Sequence, residues 1–117
     1  MKLESELLRG AGPLAVLKLL ERSEMYGYQL VESLSKRTDG VLALGQSTLY
    51  PLLYNLEAKG LIEADWRTAE SGRERKYYRL TGSGRKRLAS DTKQWQALST
   101  AMQALGLGPT SLLEARA

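Results

Sequence analysis

At Gly60 the sequence changes its period, and few folds accommodate both sides of that change. Upstream, "QSTLYPLLYNLEAKG" sets Leu49, Leu52, Leu53 and Leu56 at the spacing of one buried helix face and ends on a glycine suited to a helix C-terminus. Downstream, Ile62, Ala64 and Trp66 alternate with Glu63, Asp65 and Arg67; beyond "TAESGRE", Lys76, Tyr78 and Leu80 alternate with Arg75, Tyr77 and Arg79. A helix that runs straight into a hairpin with a charged tip is the core of this chain.

The remaining segments read as helices. "KLESELLR" forms a short one with Leu3 and Leu7 on one face, and Gly12-Pro13 opens a second in which Pro13 takes a first-turn position. Leu14, Val16, Leu17 and Leu20 make its apolar side. Ser23 is the candidate N-cap of a third, "MYGYQLVESLSKR", where Leu30 and Leu34 keep the helical period, Gly27 admits another backbone closely, and Thr38-Asp39-Gly40 stops the helix. In the fourth, an N-cap at Ser47 or Thr48 puts Pro51 at the end of the first turn, where proline costs at most one hydrogen bond. After the hairpin, Thr81 caps a long helix whose Leu88, Trp95, Leu98, Met102 and Leu105 follow a seven-residue pattern. That apolar stripe is longer than so small a body can cover, so a partner helix is expected.

The expected fold is mainly α (α+β): a winged helix-turn-helix with a long C-terminal dimerisation helix. Residues 1–80 comprise an N-terminal helix and the DNA-binding domain, 81–106 the dimerisation helix, and 107–117 a flexible tail. A chain of 117 residues supports one modest core, which makes a homodimer the natural completion. The stripe of the terminal helix makes Leu88, Leu98, Met102 and Leu105 the expected dimerisation residues.

Composition excludes whole classes of chemistry. There is no cysteine and no histidine, which removes disulfides, thiolate nucleophiles, the usual metal sites and histidine-based acid–base catalysis. No cofactor and no metal are expected. "TGSGRKR" follows a strand and opens a helix as a dinucleotide motif does, but Arg87 stands where the third glycine is required. The first 24 residues carry charges throughout, giving neither a signal-peptide core nor a membrane span, so a cytoplasmic protein is expected.

Charge is concentrated. Residues 67–87 hold eight Lys or Arg against Glu70 and Glu74, a net of +6 in a chain of net +4, which leaves −2 elsewhere. Such a segment is the footprint of a polyanion-binding surface or else a solvated basic face. The outward stripe of the fourth helix reads Gln46, Ser47, Thr48, Tyr50, Pro51 and Tyr54, with Asn55 beside it. Hydroxyls, an amide and phenols suit base edges and phosphates in a major groove of double-stranded DNA better than the Glu and Lys of an ordinary surface. For Ser47 or Thr48 the alternative is a plain N-cap, for Tyr50 and Tyr54 packing against the wing, and for Arg73, Arg75 and Lys76 a solvated turn.

"STLYPLLYNLEAKGLI" followed by "SGRERKYYRLTGSG", with "MYGYQL" upstream, resembles the PadR family of bacterial transcriptional regulators over about residues 10 to 105. Ser47 departs from the glycine that many members carry before Thr-Leu-Tyr-Pro. The resemblance is to the short subfamily, in which the single C-terminal helix and the N-terminal helix build a homodimer, and it implies Leu3 and Leu7 as further dimerisation residues. It implies a homodimeric repressor on an inverted-repeat operator, with ATGT/ACAT-type half-sites and control of an efflux, transport or detoxification gene. It also implies that Trp95, at the distance from Thr81 found in multidrug-sensing members, binds a planar aromatic effector. Ser99, where those sensors have an acidic residue, points to a neutral or weakly charged molecule; a dimer-core anchor is the alternative for Trp95. A different class remains, a winged helix used as a protein-interaction module without sequence-specific DNA binding.

Overall fold

Seven elements follow one another in the computed structural model, which describes residues 3–108. They are α1 (Ser5–Leu20), β1 (Met25–Tyr26), α2 (Gly27–Arg37), α3 (Gln46–Ala58), β2 (Ile62–Thr68), β3 (Glu74–Leu80) and α4 (Gly82–Ala104). The core is almost wholly aliphatic. Val16, Leu17, Leu19 and Leu20 of α1 meet Leu30 and Leu34 of α2, Leu49, Leu53 and Leu56 of α3, and Leu44, Leu61, Ile62, Tyr78, Leu80 and Leu88 from the remaining segments. Helices α2 and α3 on α1, with the hairpin β2–β3 beside them, form a winged helix-turn-helix within an α+β fold. Among the described residues no helix is long and apolar enough to cross a membrane.

Several boundaries differ from the sequence expectation. The N-terminal segment is one helix, α1, with Pro13 inside it rather than two helices. An interior proline removes one helical hydrogen bond and crowds the preceding turn. Burial of four apolar side chains on the following turns offsets that cost. Ser23 does not cap α2. Met25 and Tyr26 instead pair antiparallel with Tyr78 and Tyr77, so the sheet has three strands in the order β1-β3-β2, and Tyr26 is the N-cap, its N–H donating to Gln29 Oε1 at 3.1 Å. Two residues are too few for alternation to show in a sequence. Helix α2 ends as expected: Thr38 Oγ1 donates to Leu34 O at 2.5 Å and accepts from Leu42 N–H at 3.0 Å, and the chain turns through Asp39 and Gly40 at positive φ.

The cap of α3 is Gly45, not Ser47 or Thr48, whose N–H groups are already inside the first turn; those of Thr48 and Leu49 reach Gly45 O. Pro51 therefore lies in the second turn, and the Ser47 carbonyl lacks its usual helical donor. At the other end Gly60, φ 72°, lets its own N–H reach Glu57 O and that of Leu61 reach Leu56 O, the paired bonds of a Schellman exit. The chain leaves α3 directly into β2, registered on β3 from Ile62↔Leu80 to Thr68↔Glu74. At the hairpin tip Gly72 N–H donates to Ala69 O and Ala69 N–H to Arg73 O, with Gly72 in the left-handed region.

Thr81 caps α4, as expected: its Oγ1 accepts from Gly84 N–H at 2.9 Å and donates to Gly60 O at 2.7 Å, tying the start of α4 to the end of α3. Leu88 is 3 % exposed and belongs to the core. It is therefore corrected from a dimerisation residue to a core residue: a side chain already covered within one chain has no surface left for a partner. The expected tail falls mostly on residues 109–117, outside the described residues.

Candidate nucleic-acid interface

Helix α3 is a ridge between two clefts. Gln46 and Tyr50 face an open groove of about 720 Å³ whose far wall is the hairpin, with Arg73, Arg75 and Lys76. Ser47, Thr48 and Asn55 face the opposite cleft, toward Leu3 before α1 and Arg9 within it. Pro51 and Tyr54 line neither and stand on the crest, Tyr54 73 % exposed. The leucines of α3 account for this: with Leu49, Leu53 and Leu56 buried and Leu52 packed on Gly12, only the hydroxyl, amide and aromatic side remains for solvent. A helix presenting such a ridge fits a major groove about 12 Å wide.

The nine candidate DNA contacts thus divide. Gln46, Tyr50, Arg73, Arg75 and Lys76 share the wing groove, Ser47 and Thr48 lie on the other flank, and Pro51 and Tyr54 form the edge between them. Tyr50 lines the groove and is 45 % exposed, whereas Tyr54 lies outside it.

The basic segment is less uniform than its composition. Arg67 pairs with Glu24 at 2.5 Å and Asp65 at 3.0 Å; Arg79 pairs with Glu63 at 3.0 Å and also with Asp65. The two guanidinium groups, Arg67 first, hold the Asp65 carboxyl below its ordinary range. On the same outer face of the sheet, Tyr26 and Tyr77 meet edge to face, with Arg75 over the Tyr26 ring at 4.3 Å and Arg67 over Tyr77 at 4.6 Å. Arg87 pairs with Asp91 along α4. Lys76 reaches Glu57 of α3 at 3.1 Å, and that hydrogen bond raises its pKa, so it stays an ammonium. Four of the eight cations are therefore compensated. Arg73 and Arg75 at the wing, and Arg85 and Lys86 at the start of α4, form no ion pair among the described residues.

An expected result follows for the wing. Removing Arg73 or Arg75 as Ala should lower the slope of log affinity against log salt by about one each, whereas Lys76→Ala should lower it by less. Glu57→Gln should raise affinity severalfold by releasing the Lys76 charge. DNA titrations at several salt concentrations decide it; an unchanged slope in Arg73→Ala and Arg75→Ala would count against the wing as a phosphate contact.

Sequence reasoning missed Trp66 and Tyr28, which line this groove, and Glu57, which holds Lys76 from α3. Trp66, 65 % exposed, pairs with Lys76 across the hairpin and stands beyond the Ala64–Tyr78 pair, where the inner face of the sheet leaves the core. Its place in the alternation was visible; its distance from the core was not. Tyr28 joins it from α2. Glu57 carried a signal, since it lies three and seven residues after Tyr54 and Tyr50 on the same side of α3.

Beyond the body, α4 continues the stripe that Gly84 and Leu88 bury. Trp95 and Leu98 are each 49 % exposed, and Met102 and Leu105 are also exposed, as is Leu7 of α1. Leu3 is half-buried beside the cleft under α3. The described residues extend 58 Å in one direction against 28 and 24 Å in the others.

Comparison with known proteins gives this geometry a context. The family model described as the transcriptional regulator PadR-like family matches residues 16–90. A transcriptional regulator of Mycobacterium tuberculosis is 36 % identical over 94 residues, covering 80 % of this chain and 84 % of that one. Among solved structures, a PadR family transcriptional regulator from Eggerthella lenta is 38 % identical with a TM-score of 0.75, covering 86 % of this chain and 85 % of the other. A PadR-like regulator from Bacillus cereus is 30 % identical with a TM-score of 0.77, covering 90 % and 100 %.

Proposed function

The chain belongs to the PadR-like family of transcriptional regulators, DNA-binding proteins rather than enzymes, and from there we propose that it is a cytoplasmic homodimeric repressor reading an inverted-repeat operator. The observation that carries this reading is the ridge of α3, polar and aromatic on its outer side and flanked by the uncompensated Arg73 and Arg75 of the wing. Two copies joined along α4 present two such ridges to successive major grooves, with half-sites about one helical turn apart. Tyr50, Tyr54, Pro51, Ser47 and Thr48 face DNA in the groove, and the wing holds flanking phosphates. A body lying across a promoter represses by occupancy alone. In a transcription assay with the bound duplex placed between promoter elements, output should fall as protein is added; a rise would make the protein an activator.

The proposed effector is a planar, neutral or weakly charged aromatic molecule held between the two Trp95 rings of the dimer. Trp95 is half exposed on the unpartnered stripe, and Ser99, one turn further, brings no charge. Planar aromatic compounds should quench tryptophan fluorescence in the wild type and lower its DNA affinity, while Trp95→Ala should lose both responses. Trp66, the only other tryptophan, reports on the wing groove instead. Equal quenching in wild type and Trp95→Ala would exclude Trp95 as the site.

A further inference from the structure

The tip of the Tyr50 side chain is turned toward α2. A Cβ built on Gly27 would lie 2.6 Å from Tyr50 Oη and 3.1 Å from its Cε1 and Cζ, so the far end of the phenol is seated where a side chain of residue 27 would be. Gly27 is buried, is the first residue of α2, and does not have positive φ. Its torsions therefore do not require glycine. What requires glycine is the space taken by Tyr50. Tyr50 nonetheless remains 45 % exposed on the groove side of α3.

We infer that Gly27 is a positioning residue for DNA recognition: by leaving a seat for the Tyr50 hydroxyl against α2, it sets the ring of Tyr50, rather than its hydroxyl, toward DNA. An alanine at 27 fills the seat and swings the ring outward or along the groove, because the three atoms nearest to its Cβ all belong to the far end of the flexible Tyr50 side chain. The backbone of α2 needs no adjustment, since alanine is at least as good a helix former there. The effect of residue 27 on binding therefore passes through residue 50.

The inference rests on the proposed reading of α3 as the recognition helix. The probe is a duplex enriched by the wild-type protein from a randomised library; if nothing is enriched, sequence-specific DNA reading itself fails, a result separate from those that follow. On the enriched duplex, Tyr50→Phe should bind within about threefold of wild type, Tyr50→Ala at least tenfold more weakly, and Gly27→Ala at least tenfold more weakly with an unchanged circular dichroism spectrum. In the Tyr50→Ala background, Gly27→Ala should change affinity by less than twofold. A Gly27→Ala effect equal in both backgrounds, or none in a folded variant, overturns the coupling. Should Gly27→Ala not fold, the Tyr50 pair decides: equal losses in Tyr50→Phe and Tyr50→Ala make the hydroxyl the contact and overturn the inference.

Discussion

Gly84→Ala is expected to cost more than about 3 kcal/mol of stability and to lower the thermal midpoint by at least about 10 °C. Gly84 is buried in the first turn of α4, and a Cβ there would run into the carbonyl oxygen of Leu61. Neither backbone is free to retreat. Leu61 O accepts the N–H of Thr81 at 3.1 Å, and Leu61 N–H closes the Schellman exit of α3 on Leu56 O at 3.0 Å. Gly84 N–H is itself the donor to the Thr81 cap. A shift of either segment breaks the link between α3 and α4, a large loss for a fold whose net stability is roughly 5–15 kcal/mol. Gly82→Ala is the control, since open space surrounds that position. Thermal unfolding followed by circular dichroism at one protein concentration should separate the two, and equal midpoints would show that the contact is not restrictive.

The second large effect is expected at the proposed seam. Leu98→Glu with Met102→Glu places two carboxylates per chain, four per dimer, on the stripe that α4 carries beyond Leu88. Unpaired buried charge is far more costly than the apolar area lost, and a weakening of the dimer by well over a hundredfold is expected. Both side chains are exposed in the single chain, so the body should fold as before. Sedimentation at micromolar concentration should find monomers whose circular dichroism spectrum is still that of a folded chain, and binding to a two-half-site duplex should fall with the dimer. A double variant that still sediments as a dimer would place the interface elsewhere.

Much of this was legible in the sequence because periodicity and turn chemistry act locally. The leucines of α3, the exit at Gly60, the hairpin and the Thr81 cap each depend on residues within a few positions of one another. What escaped depends on pairs far apart in sequence. Met25 and Tyr26 become a strand only because Tyr77 and Tyr78 lie alongside, and Gly27 makes room for a ring from α3, not for a backbone. Gly84, which fitted a weak nucleotide-binding pattern, is there for the carbonyl of Leu61. In the interface, the composition of the wing was readable but the compensation of its charges was not, since Arg67, Lys76 and Arg79 find partners on α3, on β2 and before β1. Pro51 misled by its neighbours: two hydroxyl residues stand where a cap is favoured, yet Gly45 fills that role and the proline falls one turn deeper.

In the proposed function two copies of this chain read an inverted repeat with the ridge of α3. It is tested most directly by selecting duplexes from a randomised library with the wild-type protein and measuring the stoichiometry and salt dependence of binding to the enriched sequence. Two inverted half-sites with centres about 10 base pairs apart, two chains bound per duplex, and affinity falling steeply with salt are expected. No enriched sequence, or a single half-site bound by one chain with little salt dependence, would contradict it.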